Sequence, residues 1–117
     1  MAKIVISAQI DVAPEGRDAA LRSAQPWIDG ALAQPGCIHY AWSADPHYPG
    51  RVHVFEEWDS QEELQAHFAA PSYTGMLGHL GQYSLIGATS TKYRCDISEP
   101  VYGPDGVATA TFVTAKD

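Results

Sequence analysis

Residues 54–73 read VFEEWDSQEELQAHFAAPSY, and the change of period inside this stretch decides the fold. Val54, Glu56 and Trp58 alternate with Phe55 and Glu57, which is the period of a β-strand. Asp59 or Ser60 can then cap a helix, and Glu63 follows Ser60 by three residues, the capping-box spacing. Leu64, His67 and Phe68 share one face of that helix. Pro71 and Ser72 open a second short helix, in which Tyr73, Met76, Leu80 and Tyr83 recur at helical spacing while Gly75, Gly78 and Gly81 weaken it.

On the N-terminal side, residues 37–44 and 51–58 form a predicted hairpin joined by the turn formers of DPHYPG at 45–50. Residues 3–12 alternate strictly, with Ile4, Ile6, Ala8, Ile10 and Val12 on one side. Between these strands Leu21, Ala24, Ile28 and Ala31 mark a helical face. Pro26 lacks a backbone donor and clashes with the preceding turn, so a kink or break is expected near Gln25. Residues 86–97 alternate again as a strand. After the turn-rich linker at 100–106, residues 107–114 form one more β-prone run, expected along the edge of a partner subunit. The order βαββαβ is that of a ferredoxin-like α+β domain. We assign residues 1–98 to that domain and 99–117 to a C-terminal strand or arm associated with a dimer.

A chain of 117 residues is one domain by length. Fourteen acids against seven bases give a formal charge of −7, so phosphate backbones and anionic membranes are repelled over most of the surface. Nucleic acid and membrane are not expected partners. The uncharged stretch at 64–91 is interrupted by Pro71, glycines and hydroxyls, which is unlike a membrane span. Cys37 and Cys95 have neither the density nor the spacing of a disulfide framework or zinc cluster, and read as reduced, buried thiols. The N-terminal residues lack the features of a secretory signal, so a cytoplasmic location is expected.

The segments PGCIHYAW at 35–42 and VFEEWDSQEELQAHFAAPSY at 54–73, with Glu56-x-Trp58-x-Ser60, Leu64-x-x-His67-Phe68 and Pro71, resemble the antibiotic biosynthesis monooxygenase family. The resemblance covers roughly residues 3–97. It implies a homodimeric α+β barrel in which two four-stranded sheets face each other and helices cover the outer faces above ligand pockets. It also implies cofactor-free oxygenation of an aromatic, quinol or polyketide-like substrate, whose phenolate or enolate reduces dioxygen itself. Trp58 matches the strand tryptophan of the oxygenases, and His67 falls on a pocket-facing helix position. Val54, Leu64 and Met76 or Leu77 stand where the polyphenol oxygenases have asparagine, tyrosine and arginine. Leu77 also occupies the place of the axial histidine of haem-degrading members, so no haem is expected.

Among candidate catalytic residues His67 ranks first, because an imidazole near pKa 6.5 on a sheet-facing helix position suits a general base. His79 and Glu56 follow. Tyr40, Trp42, Val54, Trp58, Leu64, Tyr73, Met76 and Tyr83 are expected to line a site for a flat ligand. His39 and His53, on the two hairpin strands, could be near each other across it, and either could line the pocket or the dimer-facing side. No histidine pair has dedicated ligand spacing, so no metal is expected. The alternatives are a lyase, cyclase or isomerase using the same base without dioxygen, and a non-catalytic ligand-binding dimer.

Overall fold

The computed structural model describes residues 2–114. Strand β1 (Lys3–Val12) is followed by a 3-10 turn at Pro14–Gly16 and by helices α1 (Arg17–Ser23) and α2 (Gln25–Leu32). The hairpin β2 (Cys37–Ala44) and β3 (Arg51–Trp58) leads into α3 (Gln61–Phe68) and α4 (Pro71–Leu80), then into β4 (Leu85–Cys95). The strands form one antiparallel sheet in the order β2-β3-β1-β4, the ferredoxin-like arrangement.

Local chemistry accounts for the boundaries. Pro26 splits the first helical segment at Ala24, whose N–H donates to Leu21 O and whose carbonyl accepts from Trp27 and Ile28. The β2–β3 turn closes on Asp45, whose Oδ1 accepts the His47 and Tyr48 backbone N–H groups at 2.8 and 2.9 Å. His53 Nε2 lies 2.7 Å from the other oxygen of that carboxylate. Ser60 caps α3, its Oγ accepting the Glu63 N–H at 3.2 Å and donating to the Glu63 carboxylate. Gly36, at φ +82°, bends the chain into β2 directly beneath Glu63, leaving no room for a Cβ.

The helices cover one sheet face. Ile4, Ile6, Tyr40, Trp58, Leu64 and Ala31 form one buried cluster, while Ala24, Met76 and Leu80 form another against Trp27, Ile28 and Trp42. In β3 the residues Val52, Val54, Glu56 and Trp58 are buried, whereas His53 and Phe55 are exposed. The opposite sheet face and nearly all of β4 are open, leaving Phe55, Leu85, Ile86 and Tyr93 in solvent.

Residues 107–114 differ from the expected strand. A single bridge, Tyr102 to Ala108, closes a small loop, and Glu99 accepts the Val113 and Thr114 backbone N–H groups. Residues 107 and 109 pair with 103 and 101, but the pairing stops there, so the rest of this run forms an arm rather than a strand. Residues 115–117 of the expected arm lie outside the described residues. Cys37 and Cys95 are free and half-buried rather than buried, because both sit at strand ends. No helix among the described residues is long and apolar enough to cross a membrane.

Candidate functional site

Between the sheet and α4 lies a cavity of about 250 Å³. Its sheet side is built by Ile6, Ala8, Tyr40, Trp42, Val54 and Glu56, and its helix side by Phe68, Tyr73, Met76, Leu77 and Leu80. Strand period 2 places Val54 and Glu56 on the same face, and the β2–β3 register sets Tyr40 opposite Glu56 and Trp42 opposite Val54. The lining is mostly apolar and aromatic. Glu56 is the only carboxylate among the described residues that line it.

Burial raises the Glu56 carboxyl above the ordinary range, opposed by the Trp58 Nε1–H that donates to its Oε1 at 3.0 Å. The Tyr40 phenol is raised too, first by burial and then by the neighbouring Glu56 charge. Trp42 Nε1 is buried without a hydrogen-bond partner. A ligand in the cavity would therefore meet a proton acceptor and flat aromatic walls.

His67 does not line this cavity. Its ring is 1% exposed, packed 4.7 Å from Trp58 and edge-on to Tyr40 and Tyr73 at 5.5 and 5.6 Å, measured between ring centroids. Helical spacing turns it toward the sheet, and of these rings Tyr40 and Tyr73 line the cavity. Its Nδ1 lies 2.7 Å from Gln34 Oε1, which also accepts the Ser72 hydroxyl at 2.7 Å. The amide oxygen accepts from both, so Nδ1 carries the ring proton and Nε2 presents a lone pair. Nε2 has no hydrogen-bond partner and faces Glu56 Oε1 at 4.0 Å. Burial lowers the His67 pKa from 6.5 to about 4, leaving a neutral imidazole at physiological pH.

Other expected site residues are also placed elsewhere. His79 stacks on Trp27 and Tyr83, and its Nε2 lies 2.9 Å from Ala20 O and 3.2 Å from Ser23 Oγ, so it joins α4 to α1. Tyr83 contacts the same Ser23 hydroxyl at 3.3 Å. Trp58 is fully buried beneath Glu56, and Leu64 packs in the core toward a neighbouring hollow. Tyr40, Trp42, Val54, Tyr73, Met76 and Glu56 are brought together around the cavity. Gln34 and Ser72, which orient His67, were not expected from the sequence.

His39 and His53 stand on the open sheet face, but the register pairs them with Glu57 and Ser43, so they are not cross-strand neighbours. Among the described residues no group of three or more His, Cys, Asp or Glu side chains is arranged to hold a metal ion.

A four-stranded ferredoxin-like sheet with a ligand-sized cavity under its helices defines a small α+β protein with a candidate small-molecule site. Residues 3–77 match the family model of antibiotic biosynthesis monooxygenases, and the chain belongs to that family. An uncharacterized Synechocystis protein, sll1783, is 29% identical over 70 residues, covering 60% of this chain and 48% of that protein. The chain thus spans about half the length of that relative. A Deinococcus radiodurans structure given the same family name superposes with a TM-score of 0.76 at 19% identity, covering 86% of this chain and 99% of that one. A conserved protein from Methanosarcina mazei Go1 gives 0.73 at 22% identity, with coverage of 82% and 95%. A Bacteroides thetaiotaomicron protein described as a possible oxidoreductase gives 0.70 at 20% identity, with coverage of 80% and 97%. At these identities the likeness is one of fold.

Proposed function

We propose that the chain is a cofactor-independent, monooxygenase-like enzyme that takes an aromatic, quinol or polyketide-like molecule into the cavity under α4, with Glu56 as the proton acceptor. The observation that carries this reading is a single buried carboxylate, raised in pKa, in an otherwise apolar and aromatic cavity. A raised carboxyl pKa brings the base closer to working pH, where proton abstraction is most efficient. His67 acts behind it as a positioning residue: its Nε2 lone pair faces Glu56, and Trp58 fixes the same carboxylate oxygen.

Glu56 removes a proton from a phenol or from an activated C–H, and the resulting anion gives electrons to dioxygen. For an anthrone-type methylene, one oxygen atom becomes the new carbonyl. The other leaves as water with the two methylene hydrogens, so dioxygen is both oxidant and oxygen source. The working form is proposed to be a homodimer in the cytoplasm, where the two free cysteines remain thiols.

The test is oxygen consumption with a panel of anthrones and hydroquinones, on the wild type and on Glu56→Gln. Uptake that is lost in the variant supports the reading, and no uptake with any member of the panel sinks the oxygenase assignment. The scarcity of polar groups around Glu56, with Val54 and Leu77 apolar, favours a second reading in which the same base drives isomerisation, cyclisation or elimination. Turnover that persists without dioxygen selects that one.

A further inference from the structure

A second hollow, of about 490 Å³, opens between α3 and the β1–β4 side of the sheet. Ile6, Phe68 and Ser90 line both it and the Glu56 cavity, so the two adjoin. Ile4, Ile6 and Leu64 contribute apolar floor. Gln61 and Gln65, four residues apart on one helical face, form one wall, and Lys92 and Arg94 form the other. The register puts both cations on the helix side, because Lys92 pairs with Ile6 and Arg94 with Ile4, and paired residues share a sheet face.

The charge pattern here is opposite to that of the chain. Fourteen acids outnumber seven bases overall, yet no carboxylate is among the described residues that line this hollow. Lys3, Arg17 and Arg51 are paired with Glu57, Asp18 and Asp11. Lys92 and Arg94, like Arg22 on α1, form no ion pair with another described residue; unlike Arg22, they line a hollow together.

We propose that Lys92 and Arg94 form an anion subsite for a carboxylate carried by the same ligand whose ring system lies over Glu56. The proposal rests on the cavity reading above and narrows its substrate class to aromatic carboxylates. Ser90, common to both spaces, is two residues from Lys92, about 7 Å along the strand, within reach of a carboxylate attached to a bound ring. Two cations there also offset the repulsion between a ligand carboxylate and an ionised Glu56.

Calorimetric titration with 3-hydroxy-2-naphthoate and its methyl ester tests this on the wild type and on the K92Q/R94Q double variant. The expected result is that the wild type binds the carboxylate about tenfold more tightly than the ester, with a preference that shrinks as salt is raised. In the variant the two probes should bind alike, with ester affinity and melting temperature unchanged. Equal binding of both probes to the wild type, or a preference that survives in the variant, overturns the subsite while leaving the cavity reading intact. A variant that changes oligomeric state without changing ligand preference assigns the pair to an interface and also overturns it. Binding of neither probe overturns the cavity reading and this one with it.

Discussion

His67 Nε2 and Glu56 Oε1 face each other at 4.0 Å with the imidazole neutral and its lone pair unpartnered. A proton captured by Glu56 from a ligand therefore meets a neutral imidazole behind it rather than a positive charge. Replacing Glu56 by Gln keeps the shape and an oxygen for the Trp58 N–H while removing the base. Turnover should fall by about 10² to 10⁴ with the melting temperature unchanged or raised, since a buried carboxylate is costly. Rate and melting curve measured on one preparation check this, and full activity in a folded variant would remove Glu56 from the mechanism.

His67→Ala should act mainly on stability. It empties the space between Trp58, Tyr40 and Tyr73 and takes a partner from Gln34, together costing about 2 to 4 kcal/mol. Urea denaturation measures the loss. A variant as stable as the wild type but inactive would show that His67 acts on turnover rather than on packing.

The opposed shifts of these two groups give a pH signature. The unfolded imidazole takes a proton near 6.5 and the folded one only near 4, so stability from His67 falls as pH drops across that window, by about 3 kcal/mol in total. Glu56 works the other way: above 4.5 the unfolded chain loses a proton that the folded protein holds, so its contribution falls as pH rises. In Glu56→Gln only the His67 contribution remains of the two. The urea midpoint should therefore drop more steeply from pH 6.5 to 4 than in the wild type, and groups such as Asp45 cancel in the comparison. Parallel curves would show that Glu56 titrates normally.

Much of the scaffold could be read from local chemistry, because local chemistry makes it. Alternation in residues 3–12, the proline at 26 and the Ser60 to Glu63 spacing each fix an element through contacts within a few residues. The site was less legible for the opposite reason. Helical spacing turns His67 toward the sheet, but which rings pack around it depends on Tyr40 and Trp58, brought in from other strands. Gln34 is 33 residues from His67 and 38 from Ser72, and no periodicity links it to them. Residues 107–114 carry a strand's alternation, yet the chain pairs only their first part, through the Tyr102–Ala108 bridge, and that is too little to make a strand.

Helix α4 carries a glycine whose reason is steric. A Cβ at Gly75 would run into the Trp27 indole of α2. Alanine normally favours a helix by about 1 kcal/mol over glycine, yet Gly75→Ala should destabilise by about 1 to 3 kcal/mol because α2 and α4 must separate. Gly78, with open space around its Cβ direction, is the control. Gly78→Ala should be neutral or stabilising in the same urea titration, and similar effects at both positions would refute the packing argument.

The last expectation concerns the proposed dimer. Phe55 and Tyr93 are 44% and 52% exposed on the open sheet face, and the arm adds Val101, Tyr102, Phe112 and Val113. A radius of gyration of 16.4 Å exceeds the value of about 13 Å for a compact chain of this length, and residues 98–114 enclose a hollow lined only by one another. The arm thus leaves much of its apolar surface without cover from its own domain, which a second copy could provide. Light scattering should give twice the chain mass at micromolar concentration. Deleting the residues after Pro100 should weaken the dimer at least about tenfold, since losing even one well-buried aromatic anchor at an interface typically costs more than 1 kcal/mol. A monomeric wild type would remove the dimer from the proposed function, whereas a dimer of undiminished affinity after truncation would confine the interface to the sheet face around Phe55 and Tyr93.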